Sequence, residues 1–149
     1  MTPRRSSDTS TDEFSAGGVV VRDREVIVIV PVRRSGRGTK VLALPKGHPD
    51  GSETAEEAAT REVFEETGAK VDLIEKLGEV RYSYERNGRR IDKRVAFFLF
   101  RYVSGDVADH DHEIEDARWM PLEQAAQELS YEGEREMVGR ALSRISADR

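Results

Sequence analysis

The 149-residue sequence predicts an α/β layer architecture built as one domain. Three observations predict it. β-Branched runs, Val19-Val20-Val21 and Val26 to Val32, open the chain, and two long strand-like segments flank Asn87-Gly88. Helical patterns stand apart from these strands, one between them and two at the C-terminus. A chain of this length builds one core and buries about two-thirds of its unfolded surface.

The elements follow in order. Met1 to Glu13, rich in Ser, Thr, Asp and Arg, is expected to be a disordered tail, leaving residues 14–149 as the domain. Ser15 to Arg22 and Val26 to Val32 read as strands joined tightly at Asp23-Arg24. Ser35-Gly36-Arg37-Gly38 is a loop, and Val41 to Leu44 a short strand ending at Pro45. Val71 to Glu85 and Arg89 to Val103 form a hairpin, since Asn-Gly accepts the positive φ values of a two-residue turn. Ala96-Phe97-Phe98-Leu99-Phe100 is apolar on both faces, so that strand lies inside the sheet. Asp106 to Asp116 is an acidic loop carrying His110 and His112, which read as solvated residues rather than a zinc pair. Ala117 to Met120 is a last short strand. Pro121 then opens a helix at its first position through about Leu129, and a final helix runs from about Glu132 to Ile145. Its core positions are Met137, Val138, Ala141, Leu142 and Ile145.

The chemistry concentrates between Gly47 and Ala69, a Gly/Pro-rich loop running into a helix. Thr54 and Glu57 make a capping box, and Gly68 stands where a left-handed cap closes the helix. At 100° per residue, Glu65, Ala58, Glu62, Ala55, Glu66 and Ala59 fall in one stripe about 120° wide. Small residues let that stripe approach a sheet or a ligand closely. Its like-charged glutamates each cost about 0.2–0.5 kcal/mol per pair unless something neutralises them. Glutamate-rich helices are usually solvated faces. Three converging carboxylates are also what a hard divalent cation takes as ligands.

The full spacing decides between those readings. Gly47, five residues, Glu53, seven residues, then Arg61-Glu62-Val63-Phe64-Glu65-Glu66-Thr67-Gly68-Ala69 resembles the Nudix box, G-x5-E-x7-R-E-U-x-E-E-x-G-U, at every fixed position. Ala69 alone is small where a bulkier aliphatic is usual. The resemblance implies the Nudix fold, a mixed sheet sandwiched between helices. It implies hydrolysis of a nucleoside diphosphate linked to another group, by attack of water on phosphorus. It implies Mg²⁺, with Mn²⁺ as the alternative, held by Glu62, Glu65, Glu66 and the backbone carbonyl of Lys46. It gives Arg61 the task of bracing Glu53 and a metal-ligating glutamate. For the general base it leaves two choices open, a glutamate of the box helix or Glu113 in the loop before Trp119.

Substrate preference is a finer reading. Leu44-Pro45-Lys46-Gly47-His48 is similar to Nudix enzymes that cleave dinucleoside polyphosphates and to some nucleotide-pool sanitisers. Tyr82 and Tyr84 share one face of their strand, suited to stacking on a base or to ordinary β packing. Lys46, His48, Arg33, Arg34, Lys93 and Arg94 are candidate phosphate contacts. The expected activity is therefore a metal-dependent pyrophosphohydrolase of dinucleoside polyphosphates. Oxidised dNTPs and diphosphoinositol polyphosphates are the alternatives, the latter suggested by the cations from Arg89 to Arg94; a non-catalytic nucleotide-binding regulator is the reading from another class. The proline after the box expected of ADP-ribose cleavers and the signature of NADH cleavers are absent.

Composition narrows the partners. A net charge of −5 argues against a general nucleic-acid or anionic-membrane surface. With no cysteine there is no disulfide, thiolate nucleophile or Cys-based zinc site. No apolar run suits a signal peptide or membrane span, so a cytoplasmic monomer or homodimer acting on a small nucleotide is expected.

Overall fold

The structure, a computed structural model, describes residues 10–32 and 40–147. Arg33 and Arg34, and Met1 to Thr9 of the expected tail, lie outside the described residues. The first strand begins earlier than its apolar pattern suggests: β1 spans Ser10–Arg22 and includes Ser10 to Glu13. Those polar residues are drawn into the sheet by parallel pairing with the fifth strand, which begins at Ser10↔Arg90. The connection after β1 turns through Asp23 at φ 56° into β2 (Glu25–Pro31).

The expected strand at Val41 to Leu44 is not formed. Ala43 makes a single bridge to Ile29, while Leu42 and Leu44 give their N–H groups to the Ser130 and Glu134 side chains. With those donors taken by the C-terminal region, no ladder can grow there. The strand comes after Pro45 instead, as β3 (Lys46–Gly47), antiparallel to β1 at Gly17 and Ala16.

Helix α1 (Ala55–Thr67) starts with the expected capping box, Thr54 and Glu57 bonding reciprocally, and ends at Gly68 with φ 78°. β4 (Lys70–Arg86) and β5 (Arg89–Ser104) pair antiparallel across Asn87 and Gly88, both at positive φ. β6 (Ile114–Pro121) is longer than the four residues expected, because it pairs with the whole of β2. Pro121 ends β6 and caps α2 (Leu122–Glu128) from outside rather than opening it. α3 runs over Glu132–Ala147.

The sheet order is β4-β5-β1-β2-β6, with β3 also against β1. β5 is therefore interior, and Ala96 to Phe100 are all buried. Alternation along the strands sends two sets of side chains to two cores. Ala16, Val20, Ile27, Ala96, Phe98 and Phe100 meet Ala58, Ala59 and Val63 of α1. Val19, Val28, Phe97 and Leu99 meet Leu122, Ala125, Met137, Val138 and Ala141 of the C-terminal helices. The result is the helix–sheet–helix sandwich expected from the sequence, with α1 pressed to β1 through its alanines.

Candidate active site

Close approach of α1 to the sheet brings its glutamates against β3. Gly47 has no side chain because none fits: a Cβ there would fall inside the Glu62 carboxylate. One residue earlier, the Lys46 N–H donates to Glu66 Oε1 at 3.2 Å. Burial raises the Glu62 carboxyl above the ordinary value, the nearby Arg61 only partly offsetting it. Burial, reinforced by the Glu62 charge, raises Glu66 to about 8. Two acidic groups are thus crowded together with too little positive charge, a pattern typical of functional sites.

Arg61 organises the other side. Its Nε and one terminal nitrogen bind Glu53 at 2.8 and 3.0 Å, and the same nitrogen reaches the His48 carbonyl at 2.9 Å. Its remaining nitrogen donates to Glu62 and Glu65, each at 3.1 Å. The guanidinium and the Asp50 N–H hold the Glu53 carboxyl down at about 2. These bonds tie the loop after Gly47 to the helix.

A cleft of about 810 Å³ opens over these groups, lined among others by Glu62, Glu66, Glu113, His48, Lys93 and Lys46. Glu65 is not in it. Its carboxylate is exposed and meets Arg61, its i−4 neighbour, at the nitrogen that also binds Glu62, while Glu66 lies against the Lys46 N–H. Among the described residues no three acidic or histidine side chains stand close enough to hold a metal. Glu62 and Glu66 with the adjoining main chain of β3 form the acidic part of the cleft. They fit a divalent cation as oxygen donors: Glu62 shares the Arg61 charge with Glu53 and Glu65, and Glu66 has no salt-bridge partner among the described residues.

The candidate phosphate contacts divide. Lys93 lines the cleft with its side chain 12% exposed, 3.8 Å from Glu13, and burial holds its ammonium below the usual lysine range. His48 Nδ1 donates to the Phe14 carbonyl at 2.9 Å, since a carbonyl only accepts. Arg94, next along β5, points elsewhere: it pairs with Glu79 at 3.2 Å and lies over the Phe14 ring. The Lys46 ammonium is engaged by Glu134 at 2.9 Å and lies near the Tyr131 ring. Burial works against its charge, but Glu134 more than compensates and holds its pKa up.

Tyr82 and Tyr84 share one face, with ring centroids 6.1 Å apart. They line a second pocket of about 710 Å³, which also contains Tyr131, Glu134 and Lys46. Tyr84 gives its hydroxyl to Glu13 at 3.1 Å. Lys46 is common to both pockets, so they adjoin. Sequence reasoning did not single out Asp50, which stands 3.4 Å from Arg61, or Glu134. The signal for Glu134 was a charge on the apolar stripe of a helix.

Fold and cleft together define a class: a sheet-and-helix protein whose loop–helix unit carries a half-buried acidic pair, one member of it braced by an arginine. The NUDIX domain model matches residues 13–140. The protein MutT4 of Mycobacterium tuberculosis (strain CDC 1551 / Oshkosh) is 37% identical over 144 residues, covering 91% of this chain and 58% of its own length. An 8-oxo-(d)GTP phosphatase of Mycolicibacterium smegmatis is 34% identical over 102 residues, covering 68% of this chain and 30% of its own. The chain thus spans only part of the length of these relatives. A NUDIX hydrolase from Nitrosomonas europaea superposes with a TM-score of 0.72 at 21% identity, over 89% of this chain and 90% of that one. This chain belongs to the Nudix family, whose hydrolases act on phosphoanhydrides. Among the described residues, no helix is long and apolar enough to cross a membrane.

Proposed function

We propose that the chain is a divalent-metal-dependent pyrophosphohydrolase of nucleoside polyphosphates. The observation that carries this reading is the Glu62–Glu66 pair, sheltered against Lys46 and Gly47 at the floor of an open cleft. Mg²⁺ or Mn²⁺, when bound, neutralises phosphate oxygens and lowers the pKa of water. Glu62 and Glu66, with the Lys46 carbonyl, are the groups assigned to hold it, and Glu65 is an added ligand once released from Arg61. Arg61 and Glu53 keep the helix and the preceding loop in register. Lys93 and His48 line the cleft where a polyphosphate chain would run; Lys93 supplies a cation, and the His48 ring is held in place by its bond to the Phe14 carbonyl. Glu113, exposed in the lining of the same cleft, is assigned as the acceptor of the attacking water's proton.

Dinucleoside polyphosphates are the proposed substrate class. In support, a tyrosine-lined pocket adjoins the acidic cleft at Lys46, giving a base a surface to stack on beside the phosphate track. A second reading, an oxidised or ordinary nucleoside triphosphate, is favoured by the similarity to the M. smegmatis phosphatase. A panel of dinucleoside polyphosphates, (d)NTPs, oxidised dNTPs and inositol pyrophosphates, assayed with Mg²⁺ and Mn²⁺, separates them. Product masses after hydrolysis in ¹⁸O-water identify the substrate and the attacked phosphorus together. Glu66→Gln is expected to reduce turnover by at least about 100-fold with the helix still folded. Near-normal turnover in that variant refutes the assigned role.

A further inference from the structure

Helix α3 carries one carboxylate where its apolar stripe leads one to expect a hydrophobic side chain. Glu134 precedes Met137 and Val138 by three and four positions, shares their inward face and is 3% exposed. A carboxylate buried this far is costly unless its oxygens are matched. Both are: Oε1 accepts the Leu44 N–H at 2.8 Å, and Oε2 lies 2.9 Å from Lys46 Nζ. Beside it, Gly133 lets the helix close directly onto Val80, where a Cβ would collide with the valine methyls.

The segment that Glu134 grips leads into the acidic cleft. Ala43 is bonded to Ile29, the Pro45 carbonyl accepts from Gly18 at 3.1 Å, and the Lys46 N–H meets Glu66. Pro45 has no N–H, and Leu44 has no strand on its donor side. The grip from α3 substitutes for that missing strand. We propose that Glu134 is a positioning residue for the cleft: by holding Leu44 and Lys46 it sets where the Lys46 main chain meets Glu66 and where Gly47 backs Glu62. It acts through β3: it contacts neither Glu62 nor Glu66, and its Lys46 partner stands where the acidic cleft and the tyrosine-lined pocket adjoin. The proposal rests on the hydrolase reading above.

The test uses the full chain and MnCl₂ titration calorimetry, with thermal melts and, for the best substrate of the panel, kcat and KM. Glu134→Gln keeps an acceptor for the Leu44 N–H but drops the charge facing Lys46; Glu134→Leu removes both ties at similar volume. Glu128→Gln, an exposed loss of charge on α2 outside both pockets, is the control. Glu134→Gln is expected to weaken Mn²⁺ binding about tenfold and to lower kcat with KM little changed. Glu134→Leu has the larger effect, and the control matches wild type. If Glu134→Gln melts cooperatively at a lower temperature yet binds Mn²⁺ and turns over as wild type, Glu134 only packs and the proposal is overturned. Should Glu134→Leu not fold, Glu134→Gln alone decides. A wild-type chain that takes up no Mn²⁺ instead overturns the hydrolase reading, and the positioning role with it.

Discussion

At Gly47 the absence of a side chain is what lets Glu62 reach β3, so Gly47→Ala must push that carboxylate away. Displacements near 1 Å at a reacting centre cost about 100-fold in rate, and kcat of Gly47→Ala should fall by that order with the fold retained. Glu66 supplies a pH signature. Its carboxyl is raised from 4.5 to about 8 by burial, so the folded chain holds the proton more tightly than the unfolded one. That contribution to stability is fully present below pH 4.5 and is lost as pH rises through 8. Melts in EDTA should therefore lose on the order of a few kcal/mol across that window. Added Mn²⁺ at 100 times its Kd should restore about 2.7 kcal/mol. Because a ligating carboxylate must be ionised, Mn²⁺ binding at pH 7 should release protons, measured as a dependence of the binding enthalpy on the buffer's ionisation heat. Glu53 has the opposite sign. Depressed to about 2 by Arg61, it stabilises above the ordinary carboxyl value of 4.5, and that contribution is lost as pH falls through 2.

Among the elements, α1 was the most legible from sequence, because its signals are local. Capping box, left-handed Gly68 and alanine face all act within one or two turns. Thr54→Ala removes the half of the box in which the Thr54 hydroxyl accepts the Glu57 N–H, and should cost about 1 kcal/mol in urea denaturation. Its effect on kcat should be small, since Thr54 lies at the far end of the helix from Glu66. β3 was not legible. Two residues carry no periodicity, and Pro45 looks like the end of a strand rather than the bend before one. What decides that segment is the side chains of Ser130 and Glu134, about 90 residues further along the chain. The start of β1 was missed for a similar reason: Ser10 to Glu13 are polar, and only the partner strand makes them extended.

For the whole molecule, one sheet serves two main cores: the α1 side carries the acidic pair, and the side of the C-terminal helices carries the tyrosine-lined pocket. Phe97 and Phe100 lie on opposite faces of β5, both fully buried. Phe97→Ala should destabilise the protein by about 3–5 kcal/mol, read from its melting midpoint. Mn²⁺ affinity of the folded fraction should stay near wild type, because the cavity opens away from Glu62 and Glu66. Unfolding should remain one cooperative transition, as both cores share β1 and β5.

From its sequence alone this protein's family, layer architecture and acidic helix were determined, since each depends on residues close together along the chain. Capping, strand alternation and the spacing of Arg61, Glu62, Glu65 and Glu66 are local constraints that any reader of the chain can apply. The tertiary structure alone decided that Glu65 turns to Arg61, that the Lys46 ammonium belongs to Glu134, and that Lys93 rather than Arg94 faces the cleft. Each of those outcomes is a competition for a counter-charge. Which partner wins depends on distances between elements far apart in the chain, set by how the two cores pack.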